Sequence, residues 1–341
     1  MRPVTVSLTA CIILTCLVAP AFAQKDTPSR RQPPPFSTAM RNHLLKLYDL
    51  SNPRIDLDKL FAPGVNKDSI PALTHPRRIK AANAPFPTAT GRVAVVVIHQ
   101  HAVAYPLGIL NFHEVANDVV AGVPVAVTYC PLCDSIGVFD RRLPPEDGDA
   151  DAKPTVLEFG VSGFLLNSNV VMYERHTMGL WSQVFMQAIT GPHAGRQLNM
   201  LPAQIMPFIR FQREHPDGEV LSTQTGYRRP YSRNPYAGYL KSPQVFRGYN
   251  FGYGNDLPPK TLGLGVHAGD IVVFITARRA AKEKVTLETP QGPIVVSANA
   301  AGLTVEQAPA SAKTIQTFYH SWSAFYPGTR IIDVENAPSA H

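Results

Sequence analysis

The stretch VPVAVTYCPLCDSIGVFDRRL, residues 123–143, places two cysteines in a CxxC pair directly after an apolar run rich in valine. Val123 to Tyr129 is typical of a buried strand that carries Cys130 at its end. The residues after Cys133 contain a glycine and alternate like a second strand. The segment therefore predicts two strands joined by a loop that holds both cysteines.

The N-terminus bears on the chemistry of these thiols, because export decides whether they meet an oxidising compartment. Arg2 precedes an uncharged run from Val4 to Pro20, and Ala21-Phe22-Ala23 follows it before Gln24. This order is that of a Sec-type signal peptide over residues 1–23. We therefore expect a periplasmic or secreted protein.

Cleavage at that site would leave two of the four cysteines, Cys130 and Cys133, in the mature chain. The apolar run is too short to span a bilayer, so no transmembrane segment is predicted. Leu8 to Cys11 resembles a lipoprotein cleavage box, but hardly any apolar run precedes that cysteine. Lipid attachment is therefore a minor alternative.

Charge and composition narrow the classes of partner. Without residues 1–23 the chain has 31 basic and 25 acidic residues, a net charge of +6. The basic residues are scattered in short pairs and form no stripe, which argues against a nucleic-acid partner. The chain has 32 prolines, which favour turns and short strands over long helices.

The pattern along the chain predicts an α+β protein, a β-rich mixed body of short strands and hairpins with a few short amphipathic helices. Residues 24–37 are polar and proline-rich, and we expect a disordered lead-in there. Residues 38–240 are predicted to form the main domain, which carries the CxxC loop. A C-terminal β-rich part over residues 241–334 is expected to pack on it, with residues 335–341 as a tail.

Four helices are predicted from apolar spacing, over residues 38–51, 107–120, 203–216 and 314–327. The last two are each ended by a proline and followed by a short strand. A strand, a tight polar turn and a strand also occur twice, in residues 91–106 and 260–275. These two pairs of similar segments are compatible with a decayed internal duplication. The members of the two pairs lie at unequal separations along the chain, however, which argues against a regular repeat array.

Three interpretations of the cysteine pair remain open. A catalytic dithiol needs a helix N-terminus to activate its first thiol, and no helix follows Cys130 in the predicted pattern. A structural disulfide needs only the pair. A soft-metal site, for copper or zinc, needs ligands besides Cys130 and Cys133, and His113 is the first candidate for the third.

A second candidate site combines Arg175, Trp181 and Gln183. An arginine offers a bidentate fork to an anion, and a tryptophan offers a flat face to an aromatic ligand. The competing interpretation gives Arg175 a structural salt bridge and Trp181 a place in the core. The partner would be a small-molecule ligand in this case, or a metal donor in the case of the cysteine site.

Four segments follow one another in a fixed order: IPALTHP, VAYPLGILNFHEVANDVVAGVPVAVTYCPLC, FGVSGFLLNSNVVMYERHTMGLWSQ and RPYSRNPYAGY. Together they resemble the bacterial family known as domain of unknown function 3179. The resemblance covers about residues 69–239, with a weaker tail to about Val334, and implies no settled activity. The family pattern falls here on His113, Asn117, Asp118, Tyr129, Cys130, Cys133, Gly160, Ser162, Gly163, Asn167, Met172, Arg175, Thr177, Trp181, Ser182, Gln183 and His215.

Overall fold

A computed structural model describes residues 35–145, 153–246, 252–299, 302–309 and 311–334. The predicted signal peptide, most of the lead-in and the tail lie outside these residues. The described residues all belong to one compact unit, Pro33–His341. Strand content is 39% and helix content 15%, which confirms the β-rich α+β class. Within the described part, no helix is long and apolar enough to cross a membrane.

Twenty-two strands and six helices lie in the described part of the chain. The helices are α1 (Pro35–Leu45), α2 (Leu107–Leu110), α3 (Phe208–Glu214), α4 (Ala237–Lys241), α5 (Ala277–Lys282) and α6 (Tyr319–Phe325). The strands in the first half are β1 (Leu73–Thr74), β2 (Arg78–Lys80), β3 (Arg92–Ile98), β4 (His101–Pro106), β5 (Val115–Val120), β6 (Val123–Cys130), β7 (Ser135–Asp140), β8 (Arg142–Leu143), β9 (Thr155–Val156), β10 (Phe159–Leu166) and β11 (Asn169–Glu174). Those in the second half are β12 (Leu180–Ser182), β13 (Gln187–Ala188), β14 (Ala203–Pro207), β15 (Glu219–Leu221), β16 (Leu262–Ala268), β17 (Ile271–Thr276), β18 (Val285–Leu287), β19 (Ile294–Asn299), β20 (Gly302–Gln307), β21 (Lys313–Phe318) and β22 (Arg330–Ile332).

The largest sheet has eight strands in the order β1-β5-β6-β7-β21-β16-β17-β22. The predicted cysteine strand is β6, at the third position of this sheet. β7 joins β21 through the pair Ile136 and Gln316, so strands of the predicted main domain and C-terminal part share one sheet. The other larger sheets are β14-β3-β4-β15-β2, β10-β11-β12-β13 and β18-β19-β20.

Two groups of four strands share one topology. In the first, β3 and β4 form an antiparallel hairpin, β14 lies antiparallel beside β3, and β15 lies parallel beside β4. In the second, β16 and β17 form the hairpin, β21 lies antiparallel beside β16, and β22 lies parallel beside β17. A short helix, α3 or α6, joins the last two strands of each group.

The register of the two groups also agrees. Val93 pairs with Pro106 in the first hairpin, and the residues 170 positions later, Gly263 and Thr276, pair in the second. The third strands match at a displacement of 111 residues, since Pro207 begins α3 as its cap and Phe318 does the same for α6. The equivalent hairpins and strand–helix–strand units therefore correspond residue by residue.

The predicted helix over residues 107–120 is wrong after its first turn. α2 ends at Leu110, and β5 begins at Val115. β5 lies between β1 and β6, so both of its edges are paired and five of its six residues are buried. The apolar residues that suggested a helix are buried because both faces of this strand are covered.

The predicted helices over residues 203–216 and 314–327 are right only in their second halves. In each segment a strand, β14 or β21, comes first, and a seven-residue helix follows. A turn of 3-10 helix lies at residues 57–59. The hairpin of β3 and β4 agrees with the strand, turn and strand predicted over residues 91–106.

Candidate functional site

The CPLC turn, residues 130–133, closes the hairpin of β6 and β7. The last cross-strand pair joins Cys130 to Ser135, and the Cys133 amide donates to the Cys130 carbonyl at 3.2 Å. Because the turn is this tight, the side chains of Cys130 and Cys133 lie close to each other.

Asp134 anchors the turn. Its backbone adopts a φ of 48°, the left-handed region that aspartate tolerates better than most residues. Its carboxylate accepts two hydrogen bonds from the Arg92 guanidinium, at 3.0 and 2.8 Å, and one from the Tyr129 hydroxyl at 2.8 Å. This bidentate pair fixes the turn against β3.

Both thiols converge on one carbonyl oxygen. The Sγ atoms of Cys130 and Cys133 donate to the Ser168 carbonyl at 3.5 and 3.0 Å. Both cysteines are free and are 1% and 0% exposed. Burial, and then the neighbouring Cys133 side chain, raise the pKa of the Cys130 thiol well above its usual range. The site therefore stabilises neutral sulfur.

Ser168 belongs to the NSN turn, Asn167–Asn169, between β10 and β11. Asn167 and Ser168 both have positive φ, 49° and 64°, as a two-residue hairpin turn requires. Ser321 donates its hydroxyl to the Asn167 carbonyl at 3.0 Å, and the Asn167 amide donates to Ala324 at 3.0 Å. These bonds attach the NSN turn to α6.

The backbone at the end of β21, directly before α6, also contacts the CPLC turn. The amide of Phe318, just before α6, donates to the Cys133 carbonyl at 2.7 Å. We call the meeting place of the CPLC turn, the NSN turn and α6 the cysteine junction. Of the buried polar atoms that lack a hydrogen-bond partner in the described part of the chain, five lie there: Asn167 Oδ1, Ser168 Oγ, Asn169 Oδ1 and both ring nitrogens of His320.

His113, the predicted third metal ligand, lies in the turn between α2 and β5 and not on a helix. It is fully buried, and both ring nitrogens are engaged, with the Pro71 carbonyl and the Tyr231 hydroxyl, each at 2.7 Å. Neither nitrogen is free for a metal. The described residues contain no group of three or more His, Cys, Asp or Glu side chains able to hold a metal ion.

Arg175, predicted to bind an anionic ligand, makes its contacts with protein groups. Its guanidinium pairs with Glu158 at 3.1 Å and Asp68 at 3.6 Å, and it donates to the Tyr173 hydroxyl at 3.0 Å. The side chain is 36% exposed, so these ion pairs are partly screened by water. The competing interpretation, a structural salt bridge, describes these contacts.

Trp181 and Gln183 lie in and beside β12, where both are buried. Trp181 is 1% exposed and packs edge-on against Phe159, with ring centroids 5.5 Å apart. Its indole N–H has no hydrogen-bond partner among the described residues. Trp181 thus fills the core, and the polar contacts of Arg175 in the described structure include neither Trp181 nor Gln183.

Gln183 is the centre of a buried hydrogen-bond network next to the two cysteine-bearing and asparagine-bearing turns. Its Oε1 accepts from the Ser135 hydroxyl at 2.7 Å and from the Asn169 amide at 2.8 Å. Its Nε2 donates to the carbonyl and hydroxyl oxygens of Thr128, at 3.0 and 2.8 Å. Since Ser135 follows the CPLC turn and Asn169 belongs to the NSN turn, Gln183 positions both turns.

Sequence reasoning missed Glu114, Ser168 and His320. Glu114 is 7% exposed, and burial followed by the nearby Cys130 raises its pKa well above the usual range. No sequence spacing connects these residues to the cysteines, since strand pairing and the α6 contact bring them together. The asparagine-rich NSN segment was the one usable signal, because such residues favour left-handed turns.

The chain matches the model of the family described as Protein of unknown function (DUF3179) over residues 67–324. It belongs to this family. The match includes both cysteines, the NSN turn and most of α6, and it takes in the predicted coverage of residues 69–239 and most of the weaker tail predicted as far as Val334. No curated protein and no solved structure matches the chain.

Proposed function

We propose that this DUF3179 member is an exported thiol–disulfide protein in which Cys130 and Cys133 form an internal bridge. The observation that carries the proposal is the convergence of two buried sulfurs on the Ser168 carbonyl, at 3.5 and 3.0 Å. Two thiols so close together in an oxidising compartment need only lose two electrons and two protons to an oxidant such as a disulfide carrier.

Burial favours the bridge over charged alternatives. A thiolate at 0–1% exposure would lose nearly all of its hydration, whereas a disulfide is neutral and needs no hydrogen bond. The chain-entropy treatment of a loop of about four residues gives about 2 kcal/mol of stabilisation. The bridge would brace the cysteine junction, where three segments meet.

The same burial argues for a structural bridge over a redox-active one. Thiol–disulfide exchange requires an incoming thiolate to reach a sulfur atom in line. Neither Sγ is accessible in the closed fold, and the CPLC turn leads into β7 and not into a helix that would activate a thiol.

Export is part of the proposal and rests on the signal-peptide pattern of residues 1–23. We expect a periplasmic or secreted mature chain that begins at Gln24. N-terminal sequencing of the protein from culture medium and periplasm tests this. A chain that retains Met1 in the cytoplasm would contradict it, and so would a lipid-modified Cys11.

Copper(I) held between the two sulfurs is the second candidate, and their convergence is the observation that favours it, since thiolates select Cu(I). Zinc would need further protein ligands. One equivalent of copper in reduced protein, absent from Cys130→Ser, would favour this alternative. His113→Ala should not change the copper content, because both its ring nitrogens have protein partners.

The bridge is tested by urea unfolding with and without reductant. Reduction should lower the free energy of unfolding of the wild type by about 2 kcal/mol. The double variant Cys130→Ser/Cys133→Ser is the matched control and should not respond to reductant. Equal wild-type stability in both conditions would contradict a structural bridge.

We also propose that the two four-stranded groups descend from an internal duplication. Their common strand order, register and constant displacements support it. The ends of α3 and α6 add a local match, since the caps His215 and Tyr326 have φ and ψ of −133°, 70° and −128°, 74°. A crystal structure with a shifted register in either group would contradict the proposal.

A further inference from the structure

A loop rich in arginine contacts the turn between α2 and β5. From Glu219 to Asp256 the sequence contains no further acidic residue, but it contains five basic ones. The basic residues are Arg228, Arg229, Arg233, Lys241 and Arg247. The first three lie in residues 225–234, which we call the basic loop. All three are exposed, and none forms an ion pair within the described part of the chain.

One buried tyrosine fixes the basic loop to the rest of the fold. Tyr231 is 7% exposed, and its hydroxyl lies 2.7 Å from the Nε2 atom of His113. The Tyr231 amide donates to the Arg229 carbonyl at 3.0 Å, and the Arg233 amide donates to the Pro230 carbonyl at 2.8 Å. These tight turns place exposed arginines on both sides of the anchored tyrosine, so their positive charges are held together at the surface.

A fourth arginine lies beside the basic loop. Arg77 is exposed, and its guanidinium donates to the side chain of Gln224, directly before the loop. The acidic residues on the adjoining strands β5 and β15 are engaged elsewhere, since Asp118 and Glu219 each lie 3.7 Å from Arg78. Arg77 and the basic loop therefore form a surface whose positive charge no acid of the described residues balances.

The same surface carries an exposed aromatic ring. Tyr227 precedes the first arginine of the basic loop and is 44% exposed. Tyrosine and arginine side chains both suit the headgroup region of a bilayer, where the ring is partly buried and the guanidinium contacts phosphate. Exposed arginines do not enclose a small anion, whereas an extended anionic surface can contact all of them at once. The composition and exposure of the surface thus favour a lipid partner.

We propose that Arg77 and the basic loop bind the protein to the surface of a bilayer that contains anionic phospholipids. The guanidinium groups donate to lipid phosphates, and the Tyr227 ring lies among the headgroups. Each basic residue near such a surface contributes about fivefold to the affinity at moderate salt. This binding needs no membrane-spanning segment, and it does not depend on the redox state of the cysteines.

The test is co-sedimentation of the chain without residues 1–23 with lipid vesicles. Vesicles of phosphatidylglycerol and phosphatidylcholine in equal parts are compared with vesicles of phosphatidylcholine alone. We expect binding to the anionic vesicles that weakens as sodium chloride is added, because salt screens exposed charges. The variant Arg228→Gln/Arg229→Gln should lower the affinity for these vesicles at least about tenfold.

Arg278→Gln/Arg279→Gln is the matched control, since it removes the same charge from two adjacent arginines that already pair with Asp333 and Glu283. It should leave vesicle binding unchanged. Arg228→Lys/Arg229→Lys keeps the charge and should retain most of the affinity, which separates a lost charge from a misfolded loop. Equal binding to anionic and neutral vesicles would overturn the proposal, and so would an equal loss of affinity in the two glutamine variants. Tighter binding to duplex DNA than to the anionic vesicles would also overturn it.

Discussion

At the scale of single residues, the cysteine junction depends on buried side chains that hydrogen-bond to one another. Gln183, Ser135, Asn169 and Thr128 are each 0% exposed, and their amide and hydroxyl groups form one network. In a low-dielectric interior such a network is stabilising only while every member keeps its partner. Gln183 is its centre.

We predict that Gln183→Leu lowers the free energy of unfolding by about 3 kcal/mol, because the substitution leaves buried donors and acceptors on both turns unpaired. Urea denaturation measures the change. The control is Gln187→Leu, whose side chain bonds Gln197 at the surface at 3.4 Å and which should cost about 0.5 kcal/mol or less. Equal costs for the two variants would contradict a positioning role for Gln183.

Because His320 is buried, we predict that the free energy of unfolding depends on pH. Its pKa is about 4 in the folded protein, against the usual histidine value of 6.5 in the unfolded chain, so the unfolded chain binds the proton more readily. The contribution to stability is full above about pH 6.5 and is lost as the pH falls towards 4, by about 3 kcal/mol. His320→Gln removes this group, and its unfolding free energy should fall less over that range. Parallel pH profiles would show that His320 does not titrate this way.

The sequence singles out the cysteine pair at this scale but not the residues that surround it. CPLC and the following aspartate are adjacent in the chain, so their pattern can be interpreted directly. His113 is a candidate ligand because it precedes the cysteine strand, but the Pro71 carbonyl and the Tyr231 hydroxyl, both distant in sequence, take its ring nitrogens. Such partners cannot be inferred from spacing alone.

At the scale of secondary-structure elements, the hairpin that carries the cysteines was easier to predict than the strand beside it. The β6–β7 hairpin agreed with its pattern because its strands and turn signals are local. The pattern of β5 predicted a helix instead of a strand. The side-chain amide of Asn117, at the centre of β5, donates to the backbone carbonyls of Leu73 and Phe159, which belong to other segments. Tertiary contacts there override the helical spacing.

Gly163 shows how β10 adapts to a neighbouring loop. The β10–β11 register shifts between Val161 and Leu165, and Gly163 lies in this bulge with a φ of 84°. A Cβ atom there would lie 2.4 Å from the Val65 carbonyl oxygen. Only glycine permits this approach of two backbones.

We predict that Gly163→Ala costs at least about 3 kcal/mol, because the loop of Val65 must move in addition to the backbone strain. Gly122→Ala is the matched control, since Gly122 has a φ of 80° and no atom of the described residues lies within 4 Å of a new Cβ. It should cost about 1 kcal/mol. Thermal and urea unfolding of both variants measures the difference, and a similar cost at the two sites would contradict the close approach.

At the scale of the whole molecule, the cysteine junction lies where strands of the predicted main domain and C-terminal part join in one sheet. β7 follows the CPLC turn and meets β21 at Ile136 and Gln316. The Gln316 side chain also donates to the Asp134 carbonyl at 3.4 Å, and Phe318 to Cys133 at 2.7 Å. A covalent bridge in this turn would therefore stabilise the contact between distant parts of the chain.

At this scale the sequence predicted the β-rich class and the two pairs of similar segments, because hairpins and proline-ended helices are local features. The order of the eight-stranded sheet was not predictable, since it depends on pairings such as β7 with β21 across about 180 residues. The joining of both parts in one sheet is thus a result of the structure alone.

The measurement that tests the central claim most directly is the intact mass of the protein recovered from its own compartment. The sample is denatured and alkylated without reductant. We predict a mature chain with no alkyl group on Cys130 or Cys133 and a mass two hydrogens below the dithiol form, with both sites alkylated only after reduction. Two alkyl groups on the unreduced protein would contradict an internal bridge.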